Sequence, residues 1–354
     1  MTSKEYTKRL ADVEGALGRV FPETTDLAWA RLVAGQSYLP LKSSTLDKIN
    51  APGWELLRRG GKRWRPLVMV LSHELSGGSL PGILDLTTLI ELPHNGSLIV
   101  DDIEDGAQER RGGPAIHLVH GVDMAVNTGN FLYFEPTYLI EGSGLDEAVQ
   151  YRMMKLYLRV MRRLHFGQGL DIVWHNDHGY LPNREEYLQM CRFKTGALSR
   201  LAAELGAASA GGTEAEVEAV GSLWEDIGVG FQILDDVKNL VTGNPGKLRG
   251  DDIVEGKKSL PVLLHGSRAA DGGKALLALF ARVASARLTK DAVPSLIEEA
   301  IEMMQASGAV DEALQEGEAL LQGARTRLKE GWPPSVARSG METLVDTFWE
   351  GLKP

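Results

Sequence analysis

The sequence has one cysteine, Cys191, in 354 residues. A single cysteine cannot form an intrachain disulfide, so a disulfide-stapled secreted scaffold is excluded and a reducing cytoplasm is expected. The N-terminal segment MTSKEYTKRLADVEGALGRV lacks the apolar core of a signal peptide, and no apolar stretch reaches membrane-spanning length. The sequence therefore predicts a soluble cytoplasmic protein without a transmembrane segment.

Basic residues are also fewer than acidic ones, with 38 Lys and Arg against 48 Asp and Glu, which gives a net charge of -10. A nucleic-acid surface needs a basic stripe, so no nucleic-acid partner is expected. An acidic chain can still bind a diphosphate where metal ions and a few local cations supply a positive field.

Strand signals are scarce, and apolar residues recur instead at three- and four-residue spacing, which is typical of helices. The sequence predicts about ten helices in an all-α, single-domain helical bundle that spans residues 1–354. The most periodic segments are Ile83 to Val100, Leu145 to Leu164, Glu185 to Leu205, Glu214 to Leu240 and Ala292 to Ala306.

Two short acidic clusters, Asp101 to Asp105 and Asp235 to Asn239, each follow an apolar helical run. Residues four apart share a helix face, so Asp101 and Asp105 project together, as do Asp235 and Asn239. Oxygen ligands repeated on two helices suit Mg²⁺, which completes its shell with water and substrate phosphates. The pair therefore suggests a diphosphate held by magnesium between two helices.

Cations in glycine-framed motifs accompany these clusters. In the first half, Gly60-Gly61-Lys62-Arg63-Trp64-Arg65 can cradle an anion, Arg110-Arg111 follows the first cluster, and His94 lies two turns before Asp101. The second half contains Gly167-Gln168-Gly169-Leu170-Asp171, Lys194-Thr195-Gly196, Gln232, Lys247 and Lys257. Any one of these motifs alone is also compatible with a solvated surface.

In combination, the motifs resemble those of trans-isoprenyl diphosphate synthases of the polyprenyl synthetase family. The resemblance covers residues 55–265 and follows the family's order through GGKRWRP, HNGSLIVDDIED, RRGGPAIH, GQGLDI, FKTG, GFQILDDVKN and EGKKSLP. The first acidic motif is similar to that of geranylgeranyl diphosphate synthases. The resemblance implies an all-α bundle around a deep central cavity, a homodimer, and condensation of isopentenyl diphosphate with dimethylallyl, geranyl or farnesyl diphosphate.

The resemblance also implies a role for each matching residue. Three Mg²⁺ ions, for which Mn²⁺ is a possible substitute, would be held by Asp101, Asp102, Asp105 and Asp235, with Asp236 and Asn239 in support. Isopentenyl diphosphate would bind Gly61, Lys62, Arg65, His94 and Arg111. The allylic diphosphate would contact Arg110, Lys194, Lys257 and Lys247, while Thr195 and Gln232 would stabilise the allylic cation.

Three positions depart from the family's pattern. Asn239 replaces the aspartate that usually ends the second motif, which would weaken or reshape one metal contact. Pro93 lies inside the first acidic helix, where it is expected to kink the helix next to His94. Glu135-Pro136 interrupts FLYFEPTYLI, on the helix that the resemblance places against the elongation cavity.

Product length is predicted from the residues just before the first acidic cluster. In the family, bulky side chains four and five positions before the first aspartate shorten the product, and here those positions hold Ser97 and Gly96. We therefore expect a product of twenty carbons or more. Phe131, Phe134 and the region around Pro136 are the candidate floors of the cavity.

Two other functions remain open. A class I terpene cyclase shares the fold and an Asp-rich helix, but has no site for isopentenyl diphosphate and a different second metal motif. A non-catalytic or regulatory subunit of a heteromeric prenyl synthase would tolerate Asn239 and Pro93, although such subunits tend to lose the acidic motifs that this chain keeps.

Overall fold

The structure is a computed structural model that describes residues 3–36, 41–79, 82–243, 249–289 and 293–352. Within these ranges helices account for nearly all regular structure, and the predicted all-α class is confirmed. The helices are α1 Ser3–Val20, α2 Leu27–Ala34, α3 Ser43–Arg58, α4 Trp64–Leu75, α5 Thr88–Glu104, α6 Ile116–His120, α7 Val122–Phe134, α8 Tyr138–Glu141, α9 Glu147–Asn176, α10 Arg184–Cys191, α11 Ala197–Ser209, α12 Glu214–Val241, α13 Asp251–Glu255, α14 Leu260–Arg268, α15 Lys274–Thr289, α16 Val293–Ala306, α17 Ala309–Gly331 and α18 Val336–Leu352.

The chain divides into two compact units, each assembled from separate segments. The first unit contains residues 1–161, 201–221 and 335–341; the second contains 162–200, 222–334 and 342–354. Four long helices, α9, α11, α12 and α18, contribute residues to both units. The expected single domain stays a prediction.

In the first unit, α5 and α7 pack closely where each lacks a side chain. A Cβ added to Gly96 would lie 2.7 Å from the carbonyl oxygen of Gly129, and one added to Gly129 would lie 2.6 Å from Val100 Cγ2. Real side chains do not fit at such distances, so both glycines are needed for this close approach. Leu89, Ile99 and other fully buried apolar side chains complete the surrounding core.

The second unit has its own apolar core, formed by one face of each of its helices. Its members are buried side chains from α9, α10, α12 and α13 to α17, including Trp174, Tyr187, Val229, Ile233, Leu260, Phe280, Ile301 and Ala313. This core encloses one side of α12 and so fixes the direction in which its polar face points.

Helix boundaries agree best with the sequence where caps or strong periodicity mark them. The expected helix from Glu214 to Leu240 is α12, one residue longer. The expected helix from Glu185 to Leu205 is divided into α10 and α11 by a π-helical turn, Arg192–Gly196. The expected interruption at Glu135-Pro136 is a 3₁₀ turn, Glu135–Thr137, that ends α7. The helix count of about ten was wrong, since the described residues contain eighteen α-helices, several of them only four or five residues long.

A short hairpin with two residues in each strand lies between α5 and α6, with β1 Glu109–Arg110 paired antiparallel to β2 Gly113–Pro114. Its turn residues Arg111 and Gly112 have φ of 52° and 73°. Positive φ at both positions is the pattern of a type I′ turn, which usually carries Asn-Gly rather than Arg-Gly. In the described residues, no helix combines the length and apolarity that a membrane crossing requires.

Candidate active site

The basic motif at the start of α4 places two neighbouring cations in different environments: Lys62 is exposed to solvent and Arg63 is buried. Arg63, at φ 46°, turns into the first unit, where it donates to Glu91 and Glu14 at 2.7 Å each. The side chains of Arg63 and Glu91 are 2% and 3% exposed. Arg63 is therefore an internal ion-pair residue that fixes the loop, while its neighbour Lys62 remains exposed at the surface.

Arg65, His94 and Arg111 form a cationic cluster in the first unit. Arg65 Nη1 lies 3.4 Å from His94 Nε2, and its buried Nε has no hydrogen-bond partner. Burial, reinforced by the charge of Arg111, lowers the pKa of Arg65 to about 10. Burial and four nearby arginines, of which Arg65 and Arg111 contribute most, hold the pKa of His94 well below its usual value. The cluster thus places two guanidinium charges beside a neutral histidine, and the carboxylate of Glu91 offsets part of that charge.

Arg111, the third member of this cluster, has a strained backbone conformation with φ of 52°. Its Nη1 donates to the Gly60 carbonyl and, at 3.1 Å, to Asn95 Oδ1. A Cβ on Gly61 would lie 3.1 Å from Arg111 Nη2. Among the described residues, Arg63 and Arg111 are the only non-glycine residues with positive φ. Such strain tends to be kept where the surrounding structure and the function require it.

Two contacts of this region were not foreseen from the sequence. Arg59 Nη1 donates to the carbonyls of Arg110 and Pro114 at 2.9 and 2.8 Å, which ties the hairpin to α3. Asn95 accepts from Arg111 and donates to Glu91 Oε1 at 2.8 Å. Asn95 lies inside the motif HNGSLIVDDIED, and Arg59 directly precedes GGKRWRP. The sequence does not indicate which groups these two side chains contact.

The first acidic cluster places its aspartates in two environments. Asp101 and Asp105, one turn apart at the end of α5, are partly exposed, whereas the Asp102 side chain is completely buried. Arg110 donates to Asp102 Oδ1 through Nε at 2.7 Å and also through Nη2. Asp102 is therefore poorly placed for the direct metal ligation expected from sequence, and Arg110 is paired with a carboxylate.

In the second unit, two of the three predicted allylic-site lysines, Lys194 and Lys257, are likewise paired with carboxylates. Lys194 Nζ lies 2.5 Å from Asp171 Oδ2, and Lys257 lies 3.7 Å from Asp252 Oδ1 and contacts Glu255. Although burial opposes it, the charges of Lys194 and Lys257 lower the pKa of Asp171. Asp171 belongs to the GQGLDI motif but received no role from the sequence.

A continuous hydrogen-bond chain connects the π-helical turn to the second acidic cluster. Thr195 Oγ1 donates to Gln232 Oε1 at 2.7 Å, Gln232 Nε2 donates to Asp236 Oδ1 at 2.7 Å, and Tyr187 Oη donates to Asp236 Oδ2 at 2.9 Å. Burial, reinforced by the charges of Asp252 and Asp235, raises the pKa of Asp236 to about 8. As in the first cluster, the first aspartate, Asp235, is partly exposed and the second is buried.

Asn239 is fully buried, and its Oδ1 accepts from the Asp252 amide at 3.3 Å. The Asn239 carbonyl also accepts from the Gly250 amide at 3.0 Å. These contacts attach the start of α13 to α12, so the structure favours a structural role for Asn239 over the support of a metal that was expected. Lys247 lies outside the described residues.

The acidic residues fit magnesium only in combination with other ligands. Among the described residues, no three Asp, Glu, His or Cys side chains are gathered as a metal site made of protein alone would require. Mg²⁺ is usually bound by one or two carboxylates with water and substrate phosphates, which Asp101 with Asp105, or Asp235, can supply. The raised pKa of Asp236 beside other carboxylates also indicates a place where a cation would relieve repulsion.

The predicted chain-length residues are found in different surroundings. Ser97 is partly exposed, whereas Gly96 is buried, and a Cβ added to it would lie 2.7 Å from the carbonyl oxygen of Gly129. Phe131 packs edge-on against Trp29 with ring centroids 6.5 Å apart. Phe134 is 62% exposed rather than internal, and the chain-length roles of these four residues stay predictions. The helix α5 continues through Pro93 from Thr88 to Glu104.

Comparisons with known proteins agree with this arrangement. The Polyprenyl synthetase family profile matches residues 47–306. The chain is 37% identical over 233 residues to a short chain isoprenyl diphosphate synthase of Methanocaldococcus jannaschii, covering 64% of this chain and 69% of that protein. It is 32% identical over 311 residues to a geranylfarnesyl diphosphate synthase of Aeropyrum pernix, covering 85% and 93%.

The fold is similar to that of a solved geranylgeranyl pyrophosphate synthetase from Pyrococcus horikoshii Ot3. The TM-score is 0.82 at 26% identity, and the match covers 98% of this chain and 97% of the other. Family profile, sequence relatives and fold therefore agree with the ordered motifs and the paired cationic and acidic clusters. The chain belongs to the polyprenyl synthetase family.

Proposed function

We propose that this chain is a trans-prenyltransferase that condenses an allylic diphosphate with isopentenyl diphosphate in the presence of Mg²⁺. The observation that carries the proposal is the pair of guanidinium charges of Arg65 and Arg111 beside the neutral His94. The buried Nε of Arg65 has no hydrogen-bond partner, and a diphosphate supplies several oxygens that can accept from such donors. Membership of the family supports the same reaction class.

In the first unit, Lys62, Arg65, His94 and Arg111, with the Gly61 backbone, would bind the diphosphate of isopentenyl diphosphate. Arg111 and Arg65 offer planar donor forks, and the absence of a Gly61 side chain lets Arg111 lie against the loop. His94 is kept neutral by its surroundings and would contribute one hydrogen bond rather than a charge. Arg110 would order the acidic cluster through Asp102.

In the second unit, Lys194 and Lys257 would bind the allylic diphosphate, with Asp171 and Glu255 orienting the two ammonium groups. The Thr195 hydroxyl hydrogen is directed to Gln232, because Gln232 uses its amide nitrogen on Asp236. The lone pairs of Thr195 Oγ1 are then the groups left to face an allylic cation. An oxygen dipole without a base to deprotonate it stabilises the cation and does not trap it.

Magnesium would be held by Asp101 and Asp105 on α5 and by Asp235 on α12. The ion, when bound, adds positive charge to the leaving diphosphate as the carbon–oxygen bond breaks. Asp102 and Asp236 would keep the neighbouring ligands in place through Arg110, and through Tyr187 and Gln232. The homoallylic double bond of isopentenyl diphosphate then attacks, and the released diphosphate accepts the proton.

A product of twenty carbons or more is proposed on the small side chain of Ser97 and on two of the similar proteins named above, the geranylfarnesyl diphosphate synthase and the geranylgeranyl pyrophosphate synthetase. Incubation with isopentenyl diphosphate and dimethylallyl, geranyl or farnesyl diphosphate, followed by mass spectrometry, tests both reaction and product length. Diphosphate release without isopentenyl diphosphate would indicate a cyclase, and no release would indicate a non-catalytic subunit. Products that stop at fifteen carbons would contradict the proposed length.

We also propose that the chain forms a homodimer through an apolar surface of the first unit. Large apolar side chains on α6, α7 and α9 are exposed there, namely Leu118, Val119, Val122, Val126, Phe134, Tyr151 and Leu158. An exposed set of this kind is typical of a contact with another protein surface. Leu158→Glu is expected to yield monomers in light scattering, whereas the exposed Leu32→Glu on α2 leaves a dimer; a dimer from both variants would contradict this interface.

A further inference from the structure

The π-helical turn Arg192–Gly196 carries two neighbouring site residues, Lys194 and Thr195. Turns of this kind are rare and occur often at functional sites, where surrounding contacts hold them. Here both consecutive side chains are engaged, Lys194 by Asp171 and Thr195 by Gln232. Because a π turn is wider than an α turn, it brings successive side chains closer in direction, which lets both reach the site.

Glu225 on α12 lies close to the first residue of this turn and to an arginine of the helix that follows it. Its Oε2 lies 3.8 Å from Nη1 of Arg192, the first residue of the turn, and 3.4 Å from Nη1 of Arg200, one turn into α11. Its Oε1 lies 3.6 Å from Arg163 Nη1. The side chains of Glu225 and Arg200 are only 13% and 7% exposed, so the charges are weakly screened by water. This carboxylate therefore lies near three guanidinium groups around the turn, and the neighbouring Asp226 Oδ1 accepts a hydrogen bond from Arg192 Nη1 at 2.6 Å.

The turn also packs on α12 through glycines. A Cβ on Gly196 would lie 3.0 Å from the Glu225 carbonyl oxygen and 3.2 Å from Glu225 Cγ. A Cβ on Gly228 would lie 2.8 Å from Gly196 Cα. The stem of Glu225 thus lies against the last residue of the turn while its carboxylate faces the first.

The same face of α12 continues to the reacting groups. Gln232 lies four residues after Gly228 and seven after Glu225, so the three residues lie along one side of the helix. A displacement of the turn along this face would change the 2.7 Å contact between Thr195 and Gln232. It would also change the direction from which Lys194 reaches Asp171.

We infer that Glu225 is a positioning residue for prenyl transfer, which holds the π-helical turn so that Lys194 and Thr195 point into the allylic half of the site. The inference rests on the proposed function for the identity of the reaction, but the positioning itself is a property of the turn. Glu225 does not touch substrate; it acts through Arg192 and Arg200.

The test compares Glu225→Gln with Glu316→Gln. Glu316 pairs with Arg184 at 2.5 Å on α17, has a similarly shielded side chain at 17% exposure, and does not contact the turn. Glu225→Gln is expected to lower kcat at least tenfold while KM for isopentenyl diphosphate stays within twofold; Glu316→Gln leaves both unchanged. Arg192→Gln removes the guanidinium that contacts both Glu225 and Asp226, and it should lower kcat in the same direction.

A double-mutant cycle separates positioning from a loss of stability. In a Lys194→Ala background, Glu225→Gln should lower kcat by a clearly smaller factor than in the wild-type chain, because one of the two groups that Glu225 positions is already absent. The thiol of Cys191, the single cysteine of the chain, provides a readout independent of catalysis, since it is buried directly before the turn. Its modification by a thiol reagent should become at least fivefold faster in Glu225→Gln and not in Glu316→Gln.

These outcomes distinguish the two proposals. An inactive wild-type chain with faster Cys191 modification in Glu225→Gln would overturn the proposed function and support the positioning of the turn. An active wild-type chain in which Glu225→Gln alters neither kcat nor Cys191 modification would overturn the inference about Glu225. Equal losses of kcat with and without Lys194 would also overturn it.

Discussion

Arg110 donates two hydrogen bonds to one oxygen of Asp102, and the Asp102 side chain is completely buried beneath the partly exposed Asp101 and Asp105. The three aspartates of the first motif therefore differ in their physical roles. Two are placed to meet a metal ion from water, and one fixes the hairpin that carries the arginines. The difference can be measured, because ligation and internal pairing respond differently to substitution.

Removal of Asp102 should destabilise the protein, whereas removal of Asp101 should not. Asp102→Ala leaves the guanidinium of Arg110 buried without its main partner, which costs about 3–5 kcal/mol of the free energy of unfolding. Asp101→Ala should lower magnesium-dependent turnover at least a hundredfold with little change in stability. Urea denaturation and a magnesium titration of activity measure the two effects. Equal stability of the two variants would contradict the assigned roles.

Substitution of Arg65 is expected to change both the KM for isopentenyl diphosphate and the pKa of His94. Arg65→Leu removes one charged donor, and charge-assisted hydrogen bonds contribute about 1.5–3 kcal/mol, so KM for isopentenyl diphosphate should rise roughly tenfold to a hundredfold. The same change should raise the pKa of His94, because Arg65 is the nearest charge that opposes its protonation. NMR titration of the histidines, assigned with His94→Gln, measures that shift.

The matched control for this prediction is Arg58→Leu. Arg58 is a surface arginine of α3 that pairs with Glu23 and is 54% exposed. It should leave KM and the His94 titration unchanged. An unaltered His94 pKa in Arg65→Leu would show that the two side chains do not interact as the structure indicates.

The sequence was sufficient for the fold class and for most residues of the cationic and acidic motifs. Helical periodicity identified α12 almost to the residue, since its apolar face is buried along its length. The resemblance grouped Thr195 with Gln232, and Arg65 with His94, and the structure places the members of each pair in contact. The roles given to these residues stay predictions.

What the sequence did not contain was the direction of individual side chains. Arg63 and Arg65 are two residues apart, yet Arg63 forms a buried ion pair with Glu91, whereas Arg65 belongs to the cationic cluster. Gly96 reads as space for a substrate, and its contact with Gly129 was not foreseen, because its partner lies far along the chain. Tertiary packing decides such cases, and neither spacing nor composition reports it.

Substitutions at Gly96 and Ser97 should separate packing from product length. Gly96→Ala places a Cβ 2.7 Å from the Gly129 carbonyl oxygen, so overpacking should cost about 1–3 kcal/mol of stability without shortening the product. Ser97→Phe changes a partly exposed position and should shorten the product to fifteen carbons at nearly unchanged stability. Mass spectrometry and thermal denaturation distinguish the variants. A shorter product from Gly96→Ala would identify it as a length determinant.

The buried carboxyl group of Glu135 is expected to make the stability of the protein depend on pH. A substitution that removes this group should remove its contribution to that dependence. The side chain is 3% exposed, neither carboxylate oxygen has a hydrogen-bond partner, and burial raises the pKa to about 8. Between the ordinary pKa near 4.5 and about 8, the folded chain keeps this proton while the unfolded chain loses it. Stability must therefore fall as pH rises through this window, by roughly 3–5 kcal/mol, and level off above it.

Glu135→Gln keeps the size of the side chain and cannot titrate, so the free energy of unfolding should decline less between pH 5 and pH 8 than in the wild-type chain. Asp236 and Lys258, whose pKa values are also shifted to about 8, remain in both proteins and cancel in the difference. Urea denaturation at several pH values measures the two curves. Parallel curves would mean that the folded chain accommodates the Glu135 carboxylate in its charged form.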